Sequence, residues 1–163
     1  MSKDAVFKEV LQVGLVVKDV DAAVRKYWEV CGIGPWEIHT MDNANMHDTT
    51  LNGKKTEFSM KVAFANVGNM QLELIEPLND ENIYSGFLRE HGEGLHHIAC
   101  AVDDFDETKA VLNGKGVGVL QEGVTREGMG FAYLDTQDAM SCITEIYKFP
   151  AKMDVPKPEE TYP

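Results

Sequence analysis

The sequence predicts an α+β chain in which two tandem βαβββ modules form one cupped, mostly antiparallel sheet. Three observations lead there. An alternating, β-branched run from Val10 to Val17 is followed by a capped amphipathic helix, the period switching from two residues to 3.6. Displacing the sequence by 85 positions lays Gln12 on His97, Val17 on Val102, Asp19 on Asp104 and Asp21 on Asp106. Further strand-like runs follow each helix, and neither half is large enough to close a core alone.

The elements can be justified in order. In "LQVGLVVKDVDAAVRKYWEVCGIG", Asp19 or Asp21 supplies a side-chain cap, and Val20, Val24, Tyr27, Trp28 and Cys31 follow helical spacing. Gly32 or Gly34 ends that helix and Pro35 bars its continuation. "HTMDNANMHDTTLNGKK", His39 to Lys55, reads as a mobile loop whose His39 and His47 are placed to cover a ligand. Strands are expected at Thr56–Ala65 and Met70–Ile75, joined by the turn signal "NVGN". "NDENIYSGFLREHGEG" reads as a short linking helix with Ile83, Phe87 and Leu88 on one side. The second half then repeats the strand, an acidic cap region, a helix from about Phe105 and a Gly-rich stop, with strands at Phe131–Leu134 and Cys142–Tyr147. The expected organisation is an arm over 1–9, a first module over 10–78, the linking helix over 79–94, a second module over 95–149 and a tail over 150–163. That tail carries four of the six prolines and reads as an extended or frayed arm.

Composition narrows the function classes. At 163 residues with 44% hydrophobic and 26% charged side chains, the chain has the make-up of an ordinary soluble protein. A formal net charge of −12 argues against a nucleic-acid partner. No apolar run approaches a membrane span and the N-terminus lacks a signal-peptide core, so a cytoplasmic location and no membrane partner are expected. Cys31, Cys100 and Cys142 are odd in number and widely spaced, which reads as buried free thiols. "GKGVGV" is a helix stop, since a phosphate loop needs GK[ST] opening a helix.

"GEGLHHIACAV" puts two histidines side by side in a strand, where neighbouring side chains face opposite ways, so His96 and His97 are not expected to share a role. Glu73 and Glu145 hold equivalent places in the last strands of the two halves, each between alternating apolar residues. The layout from Val10 to Pro150 resembles the vicinal oxygen chelate superfamily, which includes glyoxalase I, extradiol dioxygenases, bleomycin-resistance proteins and methylmalonyl-CoA epimerase. Its most specific stretch, "LELIEPLNDENIYSGFLREHGEGLHHIACAVDDFD", is most similar to methylmalonyl-CoA epimerase.

The resemblance implies a divalent metal site built from the first and last strands of each module: Gln12, Glu73, His97 and Glu145. His97 then faces the cup and His96 the other side. The small residues Gly14, Ala99 and Ala101, alternating with these positions, leave room around them. Three oxygen ligands and one imidazole suit Co²⁺, Mn²⁺, Ni²⁺ or Zn²⁺. Gln12 and Glu73 depart from the epimerase pattern, which has His and Gln there, and the set Gln/Glu/His/Glu is similar to that of eukaryotic-type glyoxalase I. The implied chemistry is removal of a proton beside a carbonyl, with the metal as Lewis acid and a carboxylate as base. Glu145 is the first candidate for that proton exchange, and Glu57 in "KKTEFSM" best matches the second, after a one-residue shift in the following turn. The expected substrate is a small molecule, an acyl-CoA thioester of the methylmalonyl type, with Lys54, Lys55 and Lys61 near enough in sequence to meet its phosphates. The alternatives are a glyoxalase-I-like lyase acting on a thiol–aldehyde adduct and a resistance-type protein that only sequesters a ligand. A homodimer is expected, as in many relatives.

Overall fold

The computed structural model describes residues 5–163, so the first four residues of the expected N-terminal arm lie outside it. The first half holds β1 (Val10–Val16), α1 (Val20–Cys31), β2 (Trp36–Met41), β3 (Met46–Leu51), β4 (Lys54–Lys55), β5 (Met60–Val67) and β6 (Met70–Pro77). α2 (Ile83–His91) leads to β7 (Gly94–Cys100), α3 (Phe105–Asn113), β8 (Val119–Thr125), β9 (Gly130–Leu134), α4 (Gln137–Met140), β10 (Ile143–Lys148) and β11 (Glu160–Tyr162). The caps fall where the sequence puts them. Asp19 accepts from the Ala22 amide at the start of α1, and Asp104 from the Glu107 amide at the start of α3. Each such cap is worth about 1 kcal/mol. Gly32 ends α1 in the left-handed region at φ 66°, which costs glycine nothing.

All strands join one open, 11-stranded sheet in the order β11-β2-β5-β6-β1-β7-β10-β9-β8-β3-β4. Only β1/β6 and β7/β10 are parallel. The two repeats meet where β1 and β7 run antiparallel, Gly14 opposite His97 and Gln12 opposite Ala99. The sheet is strongly curled. β5 and β9 stand five places apart in it, about 24 Å in a flat sheet, yet Met60 and Val62 share one buried cluster with Phe131 and Tyr133. Phe58, just before β5, packs its ring 6.3 Å from that of Phe131.

Strand parity sorts the side chains between two faces. Val16, Met60, Val62, Ile75, Phe131 and Tyr133 fill the cup, together with Tyr84, Ile83, Phe87 and Leu88 of α2. The alternate residues Ala63, Ala65 and Leu74 pack outward against Val20 and Val24 of α1. Ala132, Leu134 and Ile146 do the same against Leu112 of α3. The linking helix therefore lies inside the cup, while the two repeat helices cover its back.

Two expectations need correction and a third is narrowed. His39 to Lys55 is not a loop: it forms the end of β2, then β3 and β4, and β3 crosses to pair with β8 of the second half. Of the two forms expected for the tail, it takes the extended one and is not frayed. β11 adds to β2, and the Glu159 carboxylate accepts from both the amide and the hydroxyl of Thr40. All three cysteines are free, but only Cys100 is buried; Cys31 is exposed on the last turn of α1.

Candidate metal centre

Parity brings the predicted ligands together. Gln12 and Gly14 share the cup-facing side of β1 with Val16, Glu73 shares that of β6 with Ile75, and Glu145 lies on β10 with Ile143 and Tyr147. His97 is fully buried, and Gln12, Glu73 and Glu145 are 4%, 6% and 3% exposed. His97 Nε2 lies 3.1 Å from Glu145 Oε2 and 3.4 Å from Glu73 Oε2. One ligand atom from each of the three lies within 4.8 Å of the others, the spacing a shared cation requires. Gln12 joins them at one remove. The Tyr147 hydroxyl stands 2.8 Å from both Gln12 Oε1 and Glu145 Oε2 and shares its proton between them, while Gln12 Nε2 donates to Gln71 Oε1 at 2.7 Å. Tyr147 and Gln71 were not expected from sequence, although each stands two residues from a predicted ligand and so on the same face.

Gly14 explains how the imidazole fits. A Cβ there would sit 1.9 Å from His97 Cε1, so the ring lies flat on the bare backbone of the opposite strand. The room that Gly14 provides is for the ligand itself.

His96 departs from expectation. Between Gly14/His97 and Leu15/Leu95 the ladder takes one step on β1 and two on β7, a β-bulge that leaves His96 as the extra residue. Alternation fails there, and His96 turns toward its neighbour, Nδ1 to Nδ1 at 3.1 Å. Its ring is walled by those of Tyr84, Phe87 and Tyr133.

Electrostatics set this pocket apart from ordinary core. Burial acts to lower the His97 pKa, but hydrogen bonding and charge from Glu145 and Glu73 outweigh it and raise it to about 9. Burial raises the Glu73 carboxyl above the usual range, while His97 acts to lower it. Burial, with the neighbouring His97 charge, lowers His96 to about 3. Burial and the two glutamates push the phenols of Tyr84, Tyr133 and Tyr147 well above their ordinary value.

Among the described residues, the buried side-chain polar atoms without a hydrogen-bond partner are Glu73 Oε2, His97 Nε2, His96 Nε2, Tyr84 Oη and Gln121 Nε2. Two of these belong to the ligand cluster. Two buried carboxylates facing one imidazole nitrogen, with unsatisfied atoms between them, fit a divalent cation, which would neutralise their charge.

The structure does not bring Glu57 to this cluster. It is exposed, and its carboxylate accepts from Asn43 Nδ2 at 3.3 Å. The reason is parity: the cup-facing residues here are Phe58, Met60 and Val62, so Glu57 points away. Lys61 is held by Asp21 at 2.6 Å, and Lys54 and Lys55 are exposed on β4 at the far edge of the sheet. His39 is buried beside Phe64, and His47 is exposed with its Nδ1 2.9 Å from Asp48 Oδ2. A cavity of about 470 Å³ opens on the outside, beside Leu15, Tyr27, Cys31 and Glu93, and none of the cluster residues borders it. No helix among the described residues is long and apolar enough to cross a membrane.

Comparison with known proteins bears on the family and the fold. Mitochondrial methylmalonyl-CoA epimerase of Bos taurus is 28% identical over 93 residues, which are 55% of this chain and 53% of that one, so the match spans about half its length. Ethylmalonyl-CoA/methylmalonyl-CoA epimerase of Cereibacter sphaeroides is 26% identical over 138 residues, 82% of this chain and 92% of that one. The crystal structure of methylmalonyl-CoA epimerase from Mycobacterium tuberculosis superposes with a TM-score of 0.67 at 23% identity, covering 93% of this chain and 94% of that one. Residues 11–133, most of the chain, match the sequence profile described as the glyoxalase/bleomycin resistance protein/dioxygenase superfamily, and it is to this superfamily that the chain belongs.

Proposed function

We propose that the chain is a metal-dependent isomerase that epimerises an acyl-CoA of the methylmalonyl-CoA type. The observation that carries this reading is the buried pair Glu73 and Glu145, both against His97 Nε2 at the floor of the cup. Relatives with epimerase names along most of the chain support it. Glu73, His97, Glu145 and Gln12 would hold the ion, which when bound supplies Lewis-acid polarisation of a carbonyl.

The remaining chemistry belongs to the chain. Glu145 accepts the proton from the carbon next to the thioester, and the C–H electron pair moves toward the carbonyl oxygen. With Glu57 turned away, Glu73 is the other carboxylate of the site, and return of a proton from it to the opposite face would invert that carbon. Tyr147 holds the Glu145 carboxylate through Oε2 and thereby fixes its free lone pairs.

One observation favours a second reading. With Glu57 turned out of the cup, both carboxylates of the site belong to the Gln12/Glu73/His97/Glu145 set, and that set resembles glyoxalase I. A lyase acting on a thiol–aldehyde adduct would use the same carbonyl-adjacent proton transfer.

Deuterium exchange from solvent into the α-carbon of methylmalonyl-CoA, run beside a methylglyoxal–glutathione assay, separates them. Metal-dependent exchange that falls by about 10²–10⁴ in Glu145→Gln supports the epimerase. Turnover of the glutathione adduct alone replaces it with the lyase, and inactivity in both assays leaves a ligand-sequestering protein.

A further inference from the structure

The bulge at His96 has a purpose beyond packing. The ring's neighbours are Tyr84, Phe87 and Tyr133, among which a phenyl group would be at home, yet the residue is an imidazole at 4% exposure. Its polar contact is the 3.1 Å approach of its Nδ1 to Nδ1 of His97, and its own Nε2 has no partner. Two ring nitrogens at that distance share one proton, so one donates and the other accepts.

His97 presents Nε2 to Glu73 and Glu145. To ligate a cation through Nε2, it must carry its own proton on Nδ1, which makes it the donor. His96 is then the acceptor and keeps its proton on Nε2. Such an outer partner fixes both the tautomer and the ring plane of a ligating histidine, a task performed elsewhere by a carboxylate or a backbone carbonyl. In a regular strand, residue 96 would face the opposite side of the sheet. The extra residue at 96 is what lets an adjacent side chain do it.

We infer that His96 is a positioning residue for the metal centre, accepting a hydrogen bond from His97 Nδ1 and holding the imidazole in its metal-ligating form. The inference rests on the metal site proposed above.

The test uses the full chain stripped of metal, with Co²⁺ or Zn²⁺ titrated against a competing chelator. His96→Phe keeps an aromatic ring and removes the acceptor. The ring borders a cavity of about 310 Å³ shared with Ile83, Phe87 and Ile143, so the phenyl has space. His96→Asn places an oxygen acceptor near the position of Nδ1. The expected result is about 10–100-fold weaker metal binding in His96→Phe, with most of it recovered in His96→Asn. A slowly exchanging Nδ1 proton on ¹⁵N-labelled His97 is expected in Zn²⁺-loaded wild type and in His96→Asn, and not in His96→Phe. Wild-type affinity in a folded His96→Phe, or weakened binding in both variants with the Nδ1 proton still protected, would overturn the inference and leave the metal site standing. Failure of the wild type itself to bind either ion would overturn both. Should His96→Phe fail to fold, the labelled proton in wild type decides: its absence defeats the assignment.

Discussion

Replacing Gly14 by alanine tests the geometry of the centre without touching any group that reacts. The new methyl would stand 1.9 Å from His97 Cε1, 2.4 Å from Nε2 and 2.5 Å from Nδ1. Ordinary contact between carbon atoms is about 3.5–4.0 Å, so the ring must retreat by roughly 2 Å or β1 and β7 must part. Retreat is opposed on other sides by Glu145, Glu73, His96 and the Tyr133 ring, whose centroid is 5.0 Å away. Overpacking of this kind costs about 1–3 kcal/mol, a fall of roughly 3–10 °C in the thermal midpoint of a chain this long. Metal binding should suffer more, because the displaced nitrogen is a proposed ligand, and a loss of at least about 100-fold is expected, against about 10–100-fold for loss of a group that only supports a ligand. Thermal denaturation of the metal-free protein and chelator competition measure the two effects. In Gly14→Ala/His97→Ala the clash is gone, so the stability cost of the alanine should largely vanish, a coupling expected between contacting residues. Wild-type midpoint and affinity in Gly14→Ala would refute the placement of the imidazole on the bare strand.

Two further outcomes are expected. The His97 pKa, raised from 6.5 to about 9, makes the imidazolium contribute stability to the metal-free protein fully below about pH 6.5 and lose it as pH rises through about 9; metal binding, which displaces a proton from His97, should strengthen close to tenfold per pH unit between these values, and a pH-independent affinity across that window would contradict the buried ion pairs. Glu57→Gln should leave metal content and α-carbon exchange unchanged and alter stability by no more than about 0.5 kcal/mol, as for other exposed positions; a loss of exchange would return Glu57 to the reaction.

How much of this was legible depends on the physical signal each element left. α1 and α3 were readable because an Asp cap, a helical stripe and a glycine stop agree within each. Glu73 and Glu145 stood out because they hold equivalent places in the last strands of the two halves, β6 and β10, while their role as ligands rested on the family resemblance. β3 left no such pattern. Only Met46 and Thr49 are buried in it, and the irregularity between His47 and Thr50 breaks the period of two, so its strand character comes from pairing with β8. The bulge at His96 was invisible for a related reason: an inserted residue changes side-chain direction without changing composition. Glu57 failed on a single step of register, which in a strand exchanges one face for the other. Tyr147 stands two residues after Glu145 and so on the same face of β10, a signal that alternation could have supplied.

The three strands without a counterpart in the repeat occupy the places where the sheet would otherwise be open. β3, with β4 beyond it, lies on β8, and β11 lies on β2, so each outermost strand of the duplicated unit is paired. An unpaired strand offers a row of free amides and carbonyls to any neighbouring chain, the usual start of sheet-to-sheet aggregation. What remains at the margins is a two-residue strand of lysines at one end and a three-residue strand beginning at Glu160 at the other. Both are too short and too charged to template a further strand. Copies of this chain are thereby discouraged from stacking strand to strand.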